Sequence, residues 1–263
     1  MSFVPVNSEG LILIVIFFSF IWLLSIPLKN VGIVYILWGI GFVLVNLFYF
    51  LSAENNYLRN YILLALISIW GLRLSIHVFL RNKRKEEDFR YGKFRKKFGP
   101  KKYWWFSFFQ VFMLHGILIW IISAPLLAVH YYSKEPELNY FDYLAITIWC
   151  IGFIFEAGGD FQPARFKSNP LDKVKVLRTG FWKYIRHPKY FGDATVWWGY
   201  AFFSIAAAIY WPVISALIMI LLLLNVSGVA MLGKTLKLQK PDYKNYVNTT
   251  SSFFPWFPKK HIR

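Results

Sequence analysis

The chain has 263 residues, of which 57% are hydrophobic and 21% aromatic, and its formal net charge is +17. A mean hydropathy of +0.43 and repeated long apolar runs exclude an ordinary soluble domain. The basic residues lie between those runs, so attraction to anionic lipid explains the charge and no nucleic-acid partner is needed.

Seven apolar spans are predicted in chain order, at 10–28, 31–52, 58–80, 105–131, 140–160, 189–209 and 211–232. They predict an all-α integral membrane protein: one polytopic domain over residues 1–263, built as a bundle of about seven transmembrane helices. The first span has no basic leader and no small-residue cleavage site, so it is read as a retained helix. All Lys and Arg residues except Arg59, Arg73 and Lys134 fall at Lys29, in 81–104, in 161–189 or after 232. Seven spans bring those four places to one side. The positive-inside rule makes that side cytoplasmic, with the N-terminus outside and the C-terminus inside. A bacterial inner membrane is the expected location. The single cysteine, Cys150, excludes an internal disulfide and a Cys-based metal site, and no metal is expected.

The first two spans meet at Pro27-Leu28-Lys29-Asn30, with Asn46 their most polar member. The third places Arg73 and His77 one turn apart on one face. A charge at that depth turns toward the bundle interior or a wet cavity, or snorkels to the headgroups. The basic stretch that follows includes Glu86-Glu87-Asp88 and then Asp88-Phe89-Arg90-Tyr91; most of it is read as a solvated, lipid-facing surface. The fourth span carries His115, read as a hydrogen-bonded packing residue, and Pro125, a kink point. The fifth ends Glu156-Ala157-Gly158-Gly159-Asp160. Glu156 and Asp160 are four apart and share a helix face, so they need a cation or a donor-rich ligand between them, or pairing with Arg165 and Lys167. Gly158 and Gly159 permit close approach of another backbone.

The loop 161–188 is predicted as short helix and turn along the headgroups. The most informative segment runs from Thr179 to Asp193. Pro188 suits the first turn of a helix, which puts Arg186 and His187 at an N-terminus that already favours anions and Asp193 inside the first turns. This reads as a site for a phosphorylated cofactor, or more simply as a loop that holds lipid headgroups. Tyr210-Trp211-Pro212 makes a tight turn, and the aromatic, Pro-rich tail at 251–258 packs back against the membrane face. There is no Gly-rich phosphate loop, HExxH helix, paired Cys-x-x-Cys or nucleophile-elbow serine.

Trp70-Gly71-Leu72-Arg73-Leu74, Asp88-Phe89-Arg90-Tyr91, Asp160-Phe161 with Arg165-Phe166-Lys167, Thr179 to Gly192, and Tyr243, Tyr246 with Thr250 to Pro255 together resemble the steroid 5-alpha-reductase-like membrane family, in its DUF1295 branch. The resemblance implies NADPH bound among cytoplasmic helix ends, mainly within 70–263. The implied reaction transfers a hydride to a polarised carbon–carbon double bond in a lipid-soluble enone or sterol-like substrate. It further implies that Arg73, Arg84, Arg165, Arg178 and Arg186 hold phosphates, and that Asp160 and Asp193 accept from ribose hydroxyls or the carboxamide. Glu156, Tyr184, His187, Tyr243 and Tyr246 complete the cofactor set, and Tyr91 or Tyr190 is the candidate catalytic phenol. Four polar positions depart from the family: Tyr35 stands where Asp is usual, Lys189 for Asn, Asp193 for Glu, and Gly233 near a usual acidic residue. Arg-His-Pro-x-Tyr also resembles S-adenosylmethionine-dependent membrane methyltransferases, but their tails carry paired glutamates and this chain has no Glu after 156. A catalytically silent lipid-binding relative is the third reading.

Overall fold

A computed structural model of the chain describes residues 3–83, 87–169, 171, 175–225 and 243–259. All helices and no strands occur among them. In chain order they are α1 (Phe3–Leu28), α2 (Ile33–Ser52), α3 (Leu58–Asn82), α4 (Phe89–Phe98), α5 (Pro100–Ser107), a π-helical segment (Phe108–Met113), α6 (Leu114–Ile122) and α7 (Ala124–Tyr132). Then follow α8 (Tyr140–Ser168), α9 (Phe181–Tyr184), α10 (Pro188–Ala206), α11 (Val213–Asn225) and α12 (Tyr243–Thr249).

Five of these stretches are long and apolar enough to cross a membrane: α1, α2, α3, the run Lys102–Ile122, and α8. The protein is an all-α, multi-pass membrane protein. Helix α10 occupies the sixth predicted span. Helix α11 covers the seventh as far as Asn225, and the remainder of that span, with Gly233, lies outside the described residues. Arg84 also lies outside them.

The boundaries differ from the sequence reading in instructive places. Helix α1 begins seven residues early, at Phe3, because Pro5 falls in the first turn, where a missing N–H costs nothing. The basic stretch after α3 is not simple surface loop. It forms α4 and α5, anchored by an ion pair from Arg95 to Glu87 at 2.9 Å and by the Val31 backbone N–H donating to the same carboxylate at 2.9 Å. The fourth span is not one helix but a π segment followed by a break at Ser123, with Pro125 in the first turn of α7. Helix α8 runs past the predicted end at 160 to Ser168, carrying Pro163 inside it.

The chain divides into two compact units, Met1–Asn139 with Phe203–Pro212, and Tyr140–Phe202 with Val213–Arg263. In the first, α2 and α3 pack where Gly39 and Gly71 face each other's backbone carbonyls, and Trp70 and Phe42 meet edge to face beside that contact. Trp22 of α1 stacks on Trp104 and donates its indole N–H to the Trp104 carbonyl at 2.9 Å. Lys29 and Ala208 end α1 and α10 in the left-handed region, at φ 49° and 62°. Paired turn bonds close both ends, Asn30 N–H to Ser25 and Ile209 N–H to Ser204. Glycine is the usual residue there, so each of these two positions stores about 1 kcal/mol of strain.

Candidate functional site

Within the second unit, α8 and α10 lie in backbone contact. A Cβ on Gly192 would fall 2.6 Å from the Gly152 carbonyl oxygen, and one on Gly152 would fall 2.5 Å from the Val196 nitrogen. Gly159, predicted to admit another backbone, faces the Lys189 nitrogen, and its neighbour Gly158 faces the Phe181 ring. Only hydrogen fits at such positions. The crossing sets Glu156, 3% exposed, beside the first turns of α10, and Asp160 follows one turn on along α8.

Helix α10 begins at Pro188, as the sequence predicts. The His187 carbonyl accepts its first bonds, from the Tyr190 and Phe191 N–H groups. Arg186 therefore stands just before a positive helix end. Its backbone N–H donates to the Ser251 carbonyl at 2.9 Å, and its Nε donates to the Thr250 carbonyl at 3.1 Å. With Nε so committed, the Nη edge is the part of the guanidinium open to a further acceptor. The Trp256 N–H donates to the Tyr184 carbonyl at 3.0 Å. The tail thus folds back onto residues 184–186, and α12 with residues 249–256 forms the frame around the helix mouth.

Arg178 is held by its face: the guanidinium lies over the Tyr246 ring at 5.9 Å. Tyr246 is buried and donates its hydroxyl to the Trp182 carbonyl at 2.6 Å. Burial holds its phenol well above the ordinary range, so it stays protonated and acts as a post for Arg178. Tyr243 packs beside it, ring centroids 6.1 Å apart. Gly180, at φ 59°, turns the chain so that the Phe181 N–H donates to Gln162 at 3.1 Å. Trp182 has a buried indole N–H with no acceptor among the described residues. Gln162 and Trp182 escaped the sequence reading. The stripes Gly152/Gly159 and Gly192/Gly199, each seven residues apart, were the available signal for the helix crossing.

His187 is buried and stacks on Tyr190 at 5.7 Å. Its pKa is pushed down from 6.5 to about 4, by burial first and then by the neighbouring Arg186 and Lys189 charges. At neutral pH it is an uncharged imidazole. The fold thereby gains nothing above pH 6.5, but between 6.5 and 4 the unfolded chain takes up a proton that the folded chain refuses. Stability is therefore complete above pH 6.5 and falls as pH drops toward 4, by at most about 3 kcal/mol. Thermal unfolding midpoints of the detergent-solubilised protein between pH 7.5 and 4.5 should show this slope, and His187→Gln should flatten it. An equal slope in the variant would remove His187 as its source.

Lys189 Nζ lies over the Tyr190 ring at 5.0 Å, and Asp193 follows one turn into α10. Arg165 is exposed near the end of α8. Tyr184 packs on Phe257, edge to face. The structure thus brings Glu156, Asp160, Arg178, Tyr184, Arg186, His187, Tyr190, Asp193, Tyr243 and Tyr246 into one unit. Arg73, on α3, and Tyr91, on α4, belong to the first. There Tyr91, 6% exposed, donates its hydroxyl to the Tyr35 hydroxyl at 2.6 Å. Tyr35 meets His115 edge to face. His115 bonds the Val111 carbonyl through Nδ1 at 2.6 Å, so Nδ1 carries the proton and Nε2 is an acceptor.

These features define a multi-pass helical membrane protein with an anion-favouring, carboxylate-flanked helix mouth. The chain matches, over residues 21–250, the family described as protein of unknown function (DUF1295), and it belongs to that family. It is similar to an uncharacterized protein of Schizosaccharomyces pombe, 23% identical over 279 aligned residues that cover 96% of this chain and 80% of that one. No solved structure matches it.

Proposed function

We propose that the protein is a membrane oxidoreductase that uses NADPH to reduce a carbon–carbon double bond in a lipid-soluble enone or sterol-like substrate. The observation that carries this reading is the pinned Arg186 at the start of α10, with Arg178 fixed on Tyr246 in the same unit. Two cations held from behind, one of them at a positive helix end, suit a pyrophosphate or a 2′-phosphate. The other donors fit the same group. Glu156, Asp160 and Asp193 suit ribose hydroxyls or a carboxamide, and the buried Trp182 N–H suits one more acceptor oxygen.

NADPH, when bound, supplies the hydride; the chain supplies position and electrostatics. Arg186 and Arg178 hold the phosphates, and neutral His187 adds no charge to the site. Reduction of an enone builds negative charge on the substrate oxygen, which a phenol donor stabilises. Tyr190, buried against His187 in the same unit, is the phenol suited to that role; Tyr91, in the first unit, already gives its proton to Tyr35. On this reading the chain crosses the membrane seven times with its basic loops and C-terminus cytoplasmic, and a bacterial inner membrane is the proposed location.

The test is a thermal-shift titration of the detergent-purified protein with NADPH, NADH and S-adenosylmethionine. A ligand that binds the folded state raises the midpoint by mass action. Arg186→Ala is expected to weaken NADPH about 10- to 100-fold, the loss of one charged phosphate contact. Arg186 also holds the tail, so Arg178→Gln, at an exposed position, serves as the variant that spares the fold. Binding of S-adenosylmethionine alone would move the protein to the membrane methyltransferases. Binding of none of the three to folded protein would make it a silent lipid-binding relative.

A further inference from the structure

Arg59 and Lys134 are two of the three basic residues that stand apart from the basic loops, and both line one cavity of about 290 Å³ in the first unit. This is the size of a headgroup pocket; whole-ligand sites are mostly larger. Its other walls are Tyr132, Glu135 and residues 206–209. Arg59 is 1% exposed and sits in the first turn of α3, so a buried guanidinium and a positive helix end mark one side of the cavity. The opposite sign is provided separately. Glu135 supplies a carboxylate, and residues 206–209 are the last residue of α10 and the turn beyond it, whose N–H groups together with Asn139 Nδ2 already bond the final carbonyls of the helix. This turn is the one that keeps Ala208 in the left-handed region.

The depth in the membrane follows from an aromatic cluster. Phe3 packs on Tyr131, Tyr132 and Trp211 at 5.4, 5.6 and 6.4 Å. Tyr132 belongs to both the cluster and the cavity wall. Such rings gather where headgroups meet hydrocarbon. Helix α3 has 25 residues, so its first turn lies about 35 Å along the helix axis from the basic loop that follows it.

We propose that this cavity binds the headgroup of a zwitterionic phospholipid of the phosphoethanolamine type. The phosphate would sit toward Arg59 and Lys134, and the ammonium toward Glu135 and the Tyr132 ring. A purely anionic headgroup leaves Glu135 opposed, and a purely cationic ligand leaves Lys134 opposed. The mostly apolar walls and the aromatic cluster favour a lipid over a free phosphoethanolamine. The site is independent of the NADPH reading and stands or falls without it.

The test is native mass spectrometry of the full-length protein from nanodiscs of equal phosphatidylethanolamine and phosphatidylglycerol, with soluble phosphoethanolamine titrated in a parallel arm. Lys134 and Glu135 are exposed, so their substitution leaves the fold intact. Retention of phosphatidylethanolamine over phosphatidylglycerol by about fivefold is expected. Lys134→Gln should weaken both lipids by about two- to fivefold, and Glu135→Gln should erase the preference between them, since each partly exposed charge pair is worth up to about that much. Equal retention of the two lipids, or a preference untouched by both substitutions, would overturn the site. Saturable binding of soluble phosphoethanolamine with no lipid preference would overturn the lipid as its ligand.

Discussion

Replacing Gly192 with valine should abolish recovery of folded protein from detergent. A Cβ at this position overlaps the Glu156 backbone and lies 2.6 Å from the Gly152 carbonyl oxygen. The obstacle is main chain on a long helix, not the tip of a side chain, so no rotamer change relieves it. The opposing residue is already glycine, so nothing smaller can be offered in return. Helices α8 and α10 would have to separate along their length, which also moves the contacts of Gly159 and Gly199. Overpacking of this kind costs more than about 3 kcal/mol, a large share of the stability of most proteins. Gly192→Ala should be milder but still clearly destabilising. The control is Gly92→Ala, in the middle of α4, where an added Cβ meets nothing within 4 Å. It should be neutral or stabilising by up to about 1 kcal/mol. Size-exclusion profiles and thermal midpoints of the three variants decide the matter. A Gly192→Val protein that elutes and melts like the wild type would mean that the two helices are not in backbone contact.

The legible parts of this protein were those written in local composition. Apolar length marked α1, α2, α3 and α8, and Pro188 marked the first turn of α10. Gly158-Gly159 announced a close approach, although only Gly159 faces backbone and Gly158 faces the Phe181 ring. Helices α4 and α5 were not legible. Residues 89–107 are too basic to show an apolar stripe, and what anchors them is remote: Glu87 reaching Val31 across 56 residues. In the candidate site, the sequence named the charges but not what holds them. That Arg186 is pinned by Thr250 and Ser251, and that Tyr246 is a post beneath Arg178, depends on pairings more than 60 residues apart. Tyr91 and Tyr35 were noticed separately, one for its motif and one for its departure from the family. Their hydrogen bond makes them a single feature.

Substituting His130 with leucine should destabilise the protein by about 2–3 kcal/mol through polar atoms left behind, since leucine nearly fills the volume. His130 is 3% exposed and lies between Asn46 on α2 and Asn60 on α3, both fully buried. The orientation of Asn60 is fixed, because its Oδ1 accepts from the Tyr57 N–H at 3.1 Å. Its Nδ2 must then donate to His130 Nδ1, at 3.1 Å. That assigns the imidazole proton to Nε2, which donates to Asn46 Oδ1 at 2.9 Å. One neutral histidine thus joins three helices, and each of its two nitrogens has a different partner. An isolated hydrogen bond between membrane helices is worth about 0.6 kcal/mol on average, because the loosened helices find other partners. This chain of groups is enclosed, and leucine would strand an acceptor on one asparagine and a donor on the other, so the larger figure applies. A double-mutant cycle separates the two views. If the network acts as a unit, Asn46→Leu with His130→Leu should cost less than the sum of the two single changes by at least about 1 kcal/mol. Simple additivity would show that His130 contributes packing alone, and that α2, α3 and α7 owe their register to the Gly39–Gly71 contact and the surrounding rings.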